Sequence, residues 1–202
     1  MKIICIGRNY GKHAIEMGAS LPTEPIFFMK PDAAINRHNF MYYPSFTKDL
    51  HHEVEIVVKI NKVGKHISPE FAHTYYEEIG LGLDFTARDI QKNCKEKGLP
   101  WEIAKAFDNS ALISKKFISK SQLDLNNIDF SLNINEQVVQ SGNTNDMLFN
   151  IDALIAYISQ FTTLKMGDLI FTGTPEGVGP VKINDKLKGY IGDQEMFSLN
   201  IK

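Results

Sequence analysis

The spacing of apolar residues changes several times along the 202-residue chain, and each change marks a predicted element. Ile3-Ile4-Cys5-Ile6 is a short apolar run closed by Gly7, which predicts a strand over residues 2–7. Asn9 to Gly18 predicts a short helix ended by its glycine. Pro22, Pro25, Pro31 and Pro44 punctuate residues 19–50, where loops with short strands are expected. Val54–Ile60 is apolar and β-branched, a strand pattern. Ser68-Pro69 supplies an N-cap and a first-turn proline for a helix reaching about Glu78, and Ile79–Phe85 reads as a buried strand. Thr86-Ala87-Arg88-Asp89 matches a capping box with Asp in the place of Glu, and Gly98 ends the helix that follows.

Further on, Ile128–Asn135 and Val138–Gln140 alternate as a hairpin does. Ile151, Leu154, Ile155 and Ile158 have the spacing of an amphipathic helix. From Asp168 onward, glycines, threonines and short apolar runs return to a β pattern. Strands outnumber helices and do not alternate with them regularly. The predicted class is therefore α+β and β-rich, not a doubly wound sheet. No linker or repeat divides the chain, so one domain is expected over residues 1–202.

Composition narrows the function classes. A net charge of −2 with no Lys/Arg cluster argues against nucleic-acid binding, which needs a basic excess. No run of about 18 apolar residues predicts a membrane span. The opening Met1-Lys2-Ile3-Ile4-Cys5-Ile6-Gly7-Arg8 is too short in apolar length for a signal peptide, so the expected location is cytoplasmic. Cys5 and Cys94 show no metal or disulfide spacing and are expected as free thiols.

Several groups could do chemistry. In His52-Glu53-Val54-Glu55, a strand period of two points both carboxylates to one face, where they repel unless a cation lies between them. A wet sheet face is the plain alternative. Asp84 ends a predicted buried strand just before a helix start, as an N-cap or a ligand would. With Glu53 and Glu55 it offers three carboxylate oxygens, a donor set suited to Mg²⁺, Mn²⁺ or Ca²⁺. His13 and Glu16 share a helix face three residues apart, as a surface pair or as an oriented general base. Lys105 lies in an apolar, strand-like run; it either snorkels to solvent or faces a pocket as an oxyanion stabiliser. Phe171-Thr172-Gly173-Thr174-Pro175-Glu176-Gly177 exposes N–H groups and hydroxyls suited to a carboxylate, or is a structural turn.

In order and wording these segments resemble one family. Gly7-Arg8-Asn9-Tyr10 with His13 and Glu16, His52-Glu53-Val54-Glu55, and Leu83-Asp84-Phe85-Thr86-Ala87-Arg88-Asp89 come first. Gly98-Leu99-Pro100-Trp101 with Ala104-Lys105, then Gly167-Asp168 with Thr172-Gly173-Thr174-Pro175, complete the set. Together they resemble the fumarylacetoacetate hydrolase family from Ile3 to about Gly192, most closely its short acylpyruvate hydrolase and oxaloacetate decarboxylase members. The resemblance implies a mixed β-sandwich roll with peripheral helices, assembled as a homodimer. It implies Glu53, Glu55 and Asp84 as ligands of Mg²⁺ or Mn²⁺, and His13 and Glu16 as a dyad on a lid helix. It also implies Lys105 as the active-site lysine, with Arg8, Arg88, Gln91 and Thr174 contacting substrate or lid.

The implied activity is metal-dependent cleavage of a C–C bond in acylpyruvate-type 2,4-dioxo acids, together with oxaloacetate decarboxylation. Tautomerisation or isomerisation of 2-oxo acids is the alternative, since one metal- and Lys105-stabilised enolate serves all these reactions. A catalytically silent binding relative is the remaining class. One departure stands out. After Lys30-Pro31 the chain has Asp32, where the family pattern leads to a small hydroxylated or apolar residue, so fine specificity is not carried over.

Overall fold

The computed structural model describes residues 1–16, 18 and 20–202. In chain order the first half comprises β1 (Ile3–Gly7), α1 (Gly11–Glu16), β2 (Ile26–Lys30), β3 (Ile35–Asn36), β4 (Phe40–Met41), β5 (Leu50–His52), β6 (Val54–Ile60), α2 (Pro69–Ala72), β7 (Tyr76–Asp84), β8 (Thr86–Ala87) and α3 (Arg88–Lys97). The second half comprises α4 (Glu102–Lys105), β9 (Ala111–Ile113), β10 (Ile118–Ser119), β11 (Asp129–Ile134), β12 (Gln137–Asn143), α5 (Ile151–Phe161), β13 (Leu169–Phe171), β14 (Gly179–Pro180), β15 (Lys186–Ile191) and β16 (Gln194–Ile201).

The main sheet runs β2-β1-β13-β6-β7-β9-β3, with β10 added against β7; a second sheet runs β12-β11-β15-β16-β4. A short ribbon, β14-β5-β8, closes one end. Ile56, Val58, Ile79 and Leu81 of the main sheet pack on Phe130, Leu132, Leu187 and Leu199 of the second sheet and on Leu154, Ile155 and Ile158 of α5. The opposite face of the main sheet carries its own cluster, with Ile3, Cys5, Val57, Leu169 and Phe171 buried. Its central strands are therefore apolar on both faces, which is why β1 and β6 read as continuous runs and not as alternations. The β-rich α+β class holds.

β6 and β7 make the longest pairing, antiparallel from Val54 opposite Leu83 to Ile60 opposite Tyr76. Gly82 is required there. A Cβ at that position would lie 2.6 Å from the Leu112 carbonyl oxygen and 2.6 Å from the Phe171 ring. The β11–β12 hairpin is closed by Asn135 and Glu136, both at positive φ (50° and 68°), as a two-residue turn matching strand twist requires. α5 is capped by the Asn150 side chain, which accepts from the Ala153 N–H at 2.9 Å.

Four expectations are corrected. The helix predicted from Ser68 to Glu78 lasts only over Pro69–Ala72 and a 3₁₀ turn, and Tyr76 already begins β7. The demand of β6 for a partner along its whole length, with Lys59 opposite Glu78, outweighs the helix signal. Thr86 does not cap α3; it lies in β8 opposite His51, and Ala87 occupies the cap position. Asp89 instead accepts from the Thr47 hydroxyl and the Lys48 N–H. Lys105 sits on a helical turn, α4, not in a strand, its N–H bonded to the Trp101 carbonyl at 3.0 Å. The helix expected over Asn9–Gly18 spans Gly11–Glu16, and Met17 lies outside the described residues. Among the described residues no helix is long and apolar enough to cross a membrane.

Candidate active site

The β6–β7 register sets the site. Glu55 lies opposite Gly82, and the Asp84 N–H donates to the Glu53 carbonyl at 2.9 Å, so the end of β7 meets the start of β6. Glu53, Glu55 and Asp84 each offer a carboxylate oxygen within 4.8 Å of the others, and all three are buried. Asp84 is therefore no helix cap, and Glu53 and Glu55 do not lie on a wet face.

Cations meet two of the three acids. Lys105 Nζ donates to Glu53 Oε2 at 2.7 Å and to Asp84 Oδ2 at 2.8 Å. The Arg88 guanidinium donates to Glu53 Oε1 at 2.6 Å. Lys30 Nζ lies 2.6 Å from Asp84 Oδ1, but its hydrogens go to the Ser110 carbonyl and hydroxyl and to the Phe85 carbonyl. Asp84 Oδ1 is left as a buried acceptor without a hydrogen bond. Glu55 accepts the Gly173 N–H at 2.6 Å and touches no cation among the described residues.

The proton affinities follow from this arrangement. Burial, Asp84 and Glu53 all push Glu55 well above the usual carboxylate range. Burial pushes Glu53 the same way, but Lys105 and Arg88 outweigh it and hold the group charged. Burial favours a neutral Lys105, yet Asp84 and Glu53 dominate and keep its ammonium. Glu55, a buried carboxylate without a cation beside two further buried carboxylates, fits a divalent ion. The hard oxygen donor set is of the kind Mg²⁺ or Mn²⁺ takes.

A cavity of about 50 Å³ opens beside the three acids, lined also by Arg8, His13, Arg88, Gln91, Trp101 and Thr174. His13 Nδ1 lies 3.3 Å from Glu16 Oε2, and the Glu16 carboxylate in turn accepts the Gly177 N–H at 3.3 Å. Asn9 ties the base of α1 down, its amide donating to the Phe149 and Thr172 carbonyls at 3.0 and 2.7 Å. The Thr174 hydroxyl donates to the Val54 carbonyl at 2.9 Å, so its proton is committed to the fold. Gln91 Oε1 accepts from Arg88 at 2.7 Å. Asp32 is exposed on the turn after β2 and does not line the cavity.

Sequence reasoning missed Lys30, Lys95 and Gln140. Lys30 had a signal, a lysine ending the apolar run Ile26-Phe27-Phe28-Met29. Gln140, buried on β12, makes four bonds. Its Oε1 accepts from His52 Nδ1 at 2.8 Å and the Val54 N–H at 3.1 Å. Its Nε2 donates to the Thr174 hydroxyl at 2.9 Å and the Pro175 carbonyl at 3.1 Å. Because the Val54 N–H must meet an oxygen, the amide orientation is set and His52 carries its hydrogen on Nδ1. Burial keeps His52 readily neutral.

A family model described as fumarylacetoacetate (FAA) hydrolase C-terminal matches residues 2–202. The mitochondrial oxaloacetate tautomerase of Bos taurus is 42% identical over 191 residues, covering 94% of this chain and 86% of that protein. The mitochondrial oxaloacetate decarboxylase of Dictyostelium discoideum is 44% identical over 190 residues, 93% of this chain and 87% of the relative. In structure, a fumarylpyruvate hydrolase from Pseudomonas aeruginosa in complex with Mn²⁺ and pyruvate superposes with a TM-score of 0.93 at 36% identity, over 100% of this chain and 89% of the other.

Proposed function

The chain belongs to the fumarylacetoacetate hydrolase family, and from that premise we propose that it is a divalent-metal-dependent enzyme that enolises a small 2-oxo acid, chiefly oxaloacetate. The observation that carries the proposal is a buried ammonium, Lys105, set between carboxylates one of whose neighbours, Glu55, lacks a cation. Enolisation develops negative charge on the 2-oxo oxygen, and a preorganised cation in a dry cavity stabilises that charge most effectively.

Glu53, Glu55 and Asp84 would hold Mg²⁺ or Mn²⁺, which supplies Lewis-acid polarisation of the 2-oxo group. The chain's own groups do the rest. Lys105, held protonated by Glu53 and Asp84, offsets the enolate charge and is too strongly charged to act as the base. His13 on the cavity wall, oriented by Glu16, moves the proton at C3. Arg88, fixed by Glu53 and Gln91, faces the substrate carboxylate as a planar donor. Tautomerisation needs only this proton movement. Decarboxylation instead breaks the C3–C4 bond, releasing the distal carboxylate as CO₂ and leaving the enolate of pyruvate at the same site, and protonation at C3 then gives pyruvate.

Hydrolysis of acylpyruvates is the second reading. It is favoured by the His13–Glu16 pair, which can activate a water, and by likeness to the fumarylpyruvate hydrolase. Product analysis by NMR with Mn²⁺ separates the readings. An oxaloacetate keto–enol ratio that relaxes faster with no change of formula means tautomerisation; pyruvate plus CO₂ means decarboxylation; pyruvate plus acetate from acetylpyruvate means hydrolysis. We expect oxaloacetate turnover well above the Mn²⁺ blank. Absence of turnover on both substrates sinks the proposal.

A further inference from the structure

Every acid at the cavity except Glu55 already has a cation against it: Arg88 and Lys105 on Glu53, Lys105 and Lys30 on Asp84. Two further cations line the same cavity, Arg8 and Lys95. Neither forms an ion pair among the described residues. Lys95 belongs to α3, about two turns beyond Arg88 and about one turn beyond Gln91, and its ammonium lies 5.5 Å over the Trp101 ring on the cavity wall. Arg8 holds φ at 60°, a left-handed conformation that a non-glycine residue adopts at an energetic cost. This strain falls where β1 breaks into α1, at the cavity rather than at a remote turn.

Three cations, Arg8, Arg88 and Lys95, thus converge on one small opening. Burial, then Arg88 and Arg8, depress the proton affinity of Lys95. Such a cluster is relieved by an anion. With a divalent ion on the three acids, the metal and Arg88 account for the carboxylate and 2-oxo group of a bound 2-oxo acid. Arg8 and Lys95 remain over, both on the wall of the same cavity.

We infer that Arg8 and Lys95 form a subsite for the distal carboxylate of a short 2-oxo diacid, and that Lys95 selects dianionic over monoanionic 2-oxo acids. The inference rests on the enolising activity proposed above. It assigns a role to Lys95, which neither motif nor spacing singled out.

The test compares oxaloacetate with 2-oxobutyrate, which carries a methyl group in place of the distal carboxylate. Deuterium exchange at C3 is followed by NMR with the Mn²⁺-loaded protein, and the Mn²⁺-only rate is subtracted. Lys95→Met keeps the aliphatic stem on Trp101 and removes the charge. It should lower kcat/KM for oxaloacetate by about 10- to 100-fold, chiefly through KM, as loss of a charged hydrogen bond does. Exchange of 2-oxobutyrate should be unchanged, and Lys95→Arg should restore the preference. An equal loss on both substrates, or no loss on either, overturns the subsite. If the wild-type protein exchanges neither substrate, the enolising reading itself fails and the subsite falls with it.

Discussion

Glu55 is the residue whose environment is least satisfied by the polypeptide alone. Its proton affinity is raised by burial and by Asp84 and Glu53, so in the metal-free protein it keeps a proton that the unfolded chain releases near about pH 4.3. The stabilisation from that retained proton is complete below the unfolded value and is lost as pH rises through the folded one. Stability of the metal-free protein should therefore decline above about pH 4.3 with a component that Glu55→Gln removes, read as a flatter dependence of Tm on pH. The same variant should abolish the proton release that accompanies Mn²⁺ binding in calorimetry run in buffers of differing ionisation enthalpy. Unchanged proton release in the variant would show that Glu55 is not the group the ion discharges.

At this scale the site was partly legible. Glu53, Glu55 and Asp84 stand out because carboxylates inside apolar strands need a stated reason. Gln140 does not stand out, because its partner Thr174 lies 34 positions away and only the folded chain brings them together; Lys30 ends an apolar run, but its partner Phe85, 55 positions away, was not legible.

Among elements, β12 acts as a backing for the loop between β13 and β14. A Cβ at Gly142 would lie 2.8 Å from Pro175, and one at Gly177 would lie 2.8 Å from the Val139 carbonyl. Gln140 bonds the same loop from the centre of the strand. That loop supplies the Gly173 N–H to Glu55 and the Gly177 N–H to Glu16, so one strand of the second sheet positions both an acid of the metal set and the carboxylate behind His13. Gln140→Leu strands buried partners and should cost about 1–3 kcal/mol in urea unfolding. It should also weaken Mn²⁺ binding, whereas Gln140→Glu, which keeps the acceptor oxygen, should recover part of it. A variant destabilised by that amount with wild-type Mn²⁺ affinity would show that Gln140 serves the fold alone.

Elements with a strong pattern were legible: α5 and the β11–β12 hairpin by their period, and β6 by its continuous apolar run, lie close to where the sequence puts them. The expected helix to Glu78 and the expected strand at Lys105 failed for one reason. Local propensity says nothing of partners, and β6 needs a long neighbour while residues 102–105 have no strand to pair with.

Across the whole molecule, the main sheet is a platform buried on both faces, and the site occupies the end at which β6 begins and β7 finishes. Its geometry depends on the close approach at Gly82. Gly82→Ala should destabilise the protein by about 1–3 kcal/mol through overpacking against Leu112 and Phe171, measured by the urea midpoint. Since Glu55 faces Gly82 across the pairing, the same change should reduce Mn²⁺ affinity. The overall class was legible because the β pattern dominates the chain. The strand order was not, because β1 and β13 pair across residues that share no local signal.

That pairing bears on when the protein becomes competent during synthesis. Ile3 to Cys5 lie beside Leu169 to Phe171 in parallel. β1 has a local partner in β2, but its other edge waits until β13 has been made, and contacts this distant in sequence form slowly. Arg8 and His13 follow directly from that strand. Both residues thus take their places at the cavity only after a strand far downstream has paired, and Glu53, Glu55 and Asp84 are made well before the site around them is complete.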